Sequence, residues 1–118
     1  MPVDPEVRGA LDGRLLSWKD VASRDMFGGV GYMVSGKMFA ALAEGVVAMK
    51  LPDEQRRRAL GLAGVSPFTP AGRPFGQWVQ FLVLMEEDVS AVLPWVESAF
   101  EYVGTQPPPK KPKRRRSS

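Results

Sequence analysis

The sequence predicts an α+β domain whose antiparallel sheet has about five strands, in the order α-β-β-β-β-α-β-α. Three observations predict it. Between Ala22 and Leu51, short β-type runs alternate with glycine-bearing turns, the pattern of an antiparallel meander. Apolar residues recur at helical spacing near both ends of the folded part. A long apolar run, Phe75 to Met85, stands between the last two helices with both of its faces largely apolar, as a central strand requires.

The first helix runs from about Pro5 to Trp18. Val7, Leu11, Leu15 and Trp18 share one face at spacings of four, four and three, while Gly9 and Gly13 weaken the helix. The meander follows: Arg24 to Phe27, Val30 to Ser35, Met38 to Leu42 and Val46 to Leu51, separated by Gly28-Gly29, Gly36-Lys37 and Glu44-Gly45. Pro52 stops it. The second helix spans Asp53 to Ala63, with acids at its positive end and Gly64 as the left-handed stop. Val65 to Pro74, with three prolines and a glycine, reads as a loop of fixed path. After the Phe75 to Met85 strand, Glu86, Glu87 and Asp88 lead into a last helix ending near Val103. Its stripe of Val89, Val92, Leu93, Val96, Ala99, Phe100 and Val103 should pack on the sheet, and Pro94 interrupts or restarts it. Trp78 and Trp95 are expected in the core.

The 118 residues carry 16 Lys and Arg against 13 Asp and Glu, a net charge of +3. That charge belongs to two objects. The last fourteen residues hold Lys110, Lys111, Lys113, Arg114, Arg115 and Arg116 and no acid, so they carry +6, while Met1 to Gly104 holds 10 bases and 13 acids and carries −3. The tail, rich in Pro and then purely basic, cannot bury apolar area and is expected to be disordered. Cys and His are both absent, which excludes zinc fingers, thiol nucleophiles, disulfide frameworks and Ser-His-Asp triads. No cofactor or metal is expected. Neither a signal peptide nor a membrane span is visible, so a cytoplasmic protein is expected.

Few motifs carry chemistry. Gly31 to Lys37 satisfies G-x(4)-G-K, but Met38 stands where the phosphate-binding loop needs Ser or Thr, and the context is strand to strand where that loop runs from strand to helix. A hairpin turn at Ser35-Gly36 is the better reading. Arg56, Arg57 and Arg58 could meet a phosphate or a partner, joined by Arg73. Asp53 with Arg57 and Glu54 with Arg58 are also acid-before-base pairs at spacing four, which suits a solvated helix face. Glu86, Glu87 and Asp88 point in different directions and suit a helix start better than a cation site. The six tail cations should be drawn to polyanions in a strongly salt-dependent way.

Met-Phe-Gly-Gly at Met26 to Gly29, then Gly31-Tyr32 and Met38-Phe39-Ala40, resemble the N-terminal domain of the TfoX/Sxy family of bacterial competence regulators. GVSPF (Gly64 to Phe68), GRPFGQWVQF (Gly72 to Phe81) and LPWVESAFEYV (Leu93 to Val103) extend the resemblance over the folded part. The resemblance implies a small two-layer domain with helices mainly on one face, in a bacterial protein, and carries no catalytic residues. The family's regulators add a C-terminal helical domain where this sequence has its basic tail. The function expected is a non-enzymatic interaction module with a protein partner in transcription or the nucleoid, the tail adding weak nonspecific attraction to DNA or RNA. A small-molecule or peptide site in a cleft between the 65–75 loop and the sheet, using Phe68, Arg73 and Phe75, is the alternative.

Overall fold

A computed structural model describes residues 3–26, 28–69 and 76–105. Among them the chain runs α1 (Pro5–Leu15), β1 (Val21–Met26), β2 (Gly29–Val34), β3 (Lys37–Ala43), β4 (Val46–Lys50), α2 (Asp53–Leu60), β5 (Val65–Pro67), β6 (Trp78–Leu82) and α3 (Asp88–Thr105). The strands form one sheet in the order β1-β2-β3-β4-β6-β5, every neighbouring pair antiparallel. The α+β class and the four-strand meander are as expected, and six strands stand where about five were expected.

Turn chemistry sets the meander. At Ser35-Gly36 both residues have positive φ, 52° and 83°, the backbone of a two-residue turn whose twist matches the strands it joins. Gly31 to Lys37 is therefore strand, turn and strand, with no helix start to receive phosphate. Gly28 and Gly45 supply the same left-handed backbone at the other two hairpins, with φ of 77° and 75°.

All three helices serve one face of the sheet. Val7, Leu11 and Leu15 of α1, Ala59 of α2 and Val89, Val92, Val96, Ala99 and Val103 of α3 join Val30, Tyr32, Val34, Leu42, Val47, Met49, Val79 and Phe81 in a single core. A bulge between β2 and β3 leaves Phe39 as an extra residue, because Tyr32 faces Ala40 while Met33 faces Met38. Phe39 and Ala40 are consequently both buried. Phe39 completes an aromatic cluster with Trp18 at the end of α1 and Phe100 of α3, with centroids 4.9 to 6.4 Å apart.

Several boundaries differ from the sequence reading, α1 among them, which ends at Leu15, short of Trp18. β1 begins at Val21, before the expected Arg24, once Asp20 has turned the chain with φ 64°. α2 ends at Leu60, short of Ala63, with Gly61 at its C-cap in helical backbone. Gly64 does take the left-handed conformation, φ 79°, but in the turn into β5, where its carbonyl accepts from the Leu82 N–H at 2.9 Å. Val65 to Pro67, expected as loop, is a strand paired with β6. It lies at the sheet edge, where a proline's missing N–H costs no ladder bond. The long Phe75 to Met85 strand shrinks to Trp78–Leu82, since the Asp88 carboxylate takes the Leu84 and Met85 N–H groups at 2.9 and 3.3 Å and turns the chain into α3. Asp88 also stands in the first turn of α3, where the helix dipole favours an acid, although the N–H groups it accepts from precede the helix. Pro94 lies inside α3 without ending it.

Candidate interaction face

Side chains alternate across a strand, so the registers assign each residue to a face. Opposite the helices lie Ala22, Arg24 and Met26 of β1, Gly29, Gly31 and Met33 of β2, Met38, Ala41 and Ala43 of β3, Val46, Ala48 and Lys50 of β4, and Trp78, Gln80 and Leu82 of β6. No helix among the described residues covers this side, since all three contribute to the core on the other. Its middle row is small: Gly31, Ala41 and Ala48 face one another in succession. Larger side chains flank that row. Met26 and Met38 close over Gly31 from either side, and Val46 pairs with Leu82, which is 55% exposed. Leu84, 64% exposed, continues the apolar surface beside Gly45. The only charges at these strand positions are Arg24 and Lys50, both cations, and among the described residues neither forms an ion pair.

A polar network ties α1 to the sheet on the helix side. The buried Tyr32 hydroxyl donates to Asp12 at 2.6 Å, Arg8 lies 3.5 Å from Asp12, and Arg8 also donates to Asp25 at 2.8 Å. Burial, then the Asp12 hydrogen bond and charge, push the Tyr32 phenol well above its ordinary value of 10.0. The hydroxyl is therefore a donor and stays protonated. The Asp25 hydrogen bond, outweighing desolvation, raises Arg8.

The residues selected from sequence fall in separate places. Arg56 is half-buried on α2 and lies 3.0 Å from Asp53. Among the described residues neither expected pair, Asp53 with Arg57 nor Glu54 with Arg58, forms, because Arg56 at spacing three takes the Asp53 carboxylate and Arg57 acts on it only through its field. Gln77 donates to the same carboxylate at 3.2 Å, and this bond followed by Arg56 holds Asp53 below the usual carboxylate range. The Phe68 ring packs on Trp78 with centroids 6.0 Å apart and its N–H donates to the Trp78 carbonyl, while residues 70–75 of the expected cleft lie outside the described residues. Trp78 is buried as expected, but on the side away from the helices and outside the main core cluster. Trp95 packs against Phe81 at 5.7 Å, as core packing predicts. Arg73, Phe75 and the tail cations Lys110, Lys111, Lys113, Arg114, Arg115 and Arg116 lie outside the described residues. Among the described residues, no group of three potential metal ligands gathers and no helix is long and apolar enough to cross a membrane.

Sequence reasoning missed the open face because its Gly, Ala and Met residues read as ordinary strand filling. The signal lay in the glycines. Gly28 needs positive φ, a Cβ on Gly29 would strike the Leu42 carbonyl oxygen, and a Cβ on Gly31 would lie 2.9 Å from Met26 Cε and 3.0 Å from Met38 Sδ. Each glycine from Met26 to Tyr32 thus has a geometric duty in building this side of the sheet. No curated protein and no solved structure matches the chain. Residues 14–102 match the model of the TfoX N-terminal domain, a span that takes in the glycine-bearing hairpins and the whole sheet, and the chain belongs to that family.

Proposed function

We propose that this chain is a non-enzymatic interaction module of a competence-type regulator in the bacterial cytoplasm. It acts on a protein partner in transcription or the nucleoid, while its basic tail adds nonspecific attraction to DNA or RNA. One observation carries the reading: a side of the sheet that no described helix covers, on which Met26, Met33, Met38, Val46 and Leu82 surround a row of Gly and Ala. Contiguous apolar surface of this kind marks partner sites on otherwise polar proteins. The family match supports a competence-related regulatory role, and six cations in the last nine residues supply the attraction to polyanions.

Affinity capture from the native cell tests it, with the full chain, a Leu82→Glu variant and a chain ending at Gly104. The reading expects a protein retained by the full chain and lost with Leu82→Glu, and nucleic acid lost on removal of the tail. Capture that Leu82→Glu leaves unchanged contradicts the role of the open face.

A further inference from the structure

We propose that the open face of the sheet docks an acidic amphipathic helix of a protein partner, its apolar side over Met33, Met38 and Ala41 and its carboxylates on Arg24 and Lys50. The proposal rests on the reading of this face as an interaction face and names its occupant.

Charge selects the occupant. Every open-face position of β1 to β4 and β6 is apolar or neutral except Arg24 and Lys50, and none is acidic. Three strand spacings and a two-residue offset separate these cations, roughly 16 Å from strand spacing and rise. That distance is about three turns of an α-helix, so carboxylates eleven residues apart on one helix side would meet both. Met33, Met38 and Ala41, all half-buried, lie between the two cations and would receive the apolar side of that helix, with Gly31 and Ala48 buried as the floor between them.

A second copy of this chain fits poorly. Two such faces together would gather four cations and no counter-charge, and like charges in an interface are repulsive. Strand spacing and rise also give the face an area on the order of 400 Å², against about 800 Å² per partner in a standard stable interface. A single helix needs no more than that. Nucleic acid fits poorly as well, because two cations flanking an apolar centre offer phosphates little.

The test is fluorescence anisotropy on the full chain with a labelled designed peptide of about 18 residues, long enough to form helix. It carries Leu and Ala on one side and Glu pairs at spacing eleven; a second peptide has Lys in place of each Glu. Arg24 is exposed and Lys50 half-buried, so Arg24→Glu and Lys50→Glu should keep the fold, which circular dichroism checks. The expected result is binding of the acidic peptide, weakened up to about fivefold by each variant as exposed ion pairs are lost, and binding of the Lys peptide by the double variant alone. Equal binding of both peptides by the native chain, or unchanged binding in both variants, overturns the proposal. So does self-association on sedimentation that Leu82→Glu abolishes. If the acidic peptide does not bind while Leu82→Glu still abolishes capture from the cell, the acidic occupant is wrong and the interaction face stands. If Leu82→Glu leaves capture intact, both fall.

Discussion

Gly29 and Gly31 stand two residues apart on one strand, yet a methyl group added to each meets a different obstacle. At Gly29 it meets the Leu42 backbone carbonyl, which cannot move without shifting β3; at Gly31 it meets the ends of two methionine side chains, which can swing away. Gly29→Ala is expected to destabilise by about 2–3 kcal/mol and Gly31→Ala by less than about 1 kcal/mol. Urea denaturation of the two variants checks the order. Tyr32 gives a prediction in pH. Because burial and Asp12 raise its phenol above the ordinary value of 10.0, the folded chain keeps a proton that the unfolded chain releases. Its contribution is intact below pH about 10 and is lost as pH rises further, at up to about 1.4 kcal/mol per pH unit. Tyr32→Phe should cost about 1 kcal/mol at neutral pH through the lost bond to Asp12 and flatten the alkaline decline. A decline as steep in Tyr32→Phe as in the native chain would contradict this assignment.

At the scale of elements, local signals that a single residue can carry were legible and those that need a partner were not. The Ser35-Gly36 and Glu44-Gly45 hairpins, the α1 face of Val7, Leu11 and Leu15, and the α3 stripe were all readable from turn residues and period. β5 was not, because Pro67 argues against a strand until the strand is known to lie at an edge. Nor was the shortening of β6, which depends on the Asp88 side chain reaching back across four residues. The ion pair on α2 formed at spacing three because Gln77, distant in sequence, helps fix Asp53 where Arg56 reaches it. Asp88→Ala should lower stability by about 1 kcal/mol through loss of the bonds its carboxylate accepts from the Leu84 and Met85 N–H groups. Gly13→Ala on the exposed side of α1, where an added Cβ meets nothing within 4 Å, should raise it by about 0.5–1 kcal/mol. Thermal melts of the two variants should therefore move in opposite directions.

For the whole molecule, the division of charge legible in the sequence separates two parts of unlike chemistry. The acidic part, Met1 to Gly104, presents an apolar face rimmed by two cations; the tail concentrates six. DNA binding by the full chain should fall with salt along a log–log slope no steeper than about −5, the limit for six phosphate contacts, and removal of residues 105–118 should abolish it. A slope unchanged by that removal would place the nucleic-acid contacts elsewhere. The open face itself was hidden from sequence because Gly, Ala and Met read the same on either side of a sheet until the described helices are seen to share one side. The methionines provide its most direct test. Met26, Met33 and Met38 lie on the open face and Met49 in the core, so methyl NMR of the methionine-labelled chain separates the two sides. On addition of the protein captured from the native cell, the Met26, Met33 and Met38 methyls should shift with Met49 unchanged; a partner that leaves all three open-face methyls in place would contradict docking on this face.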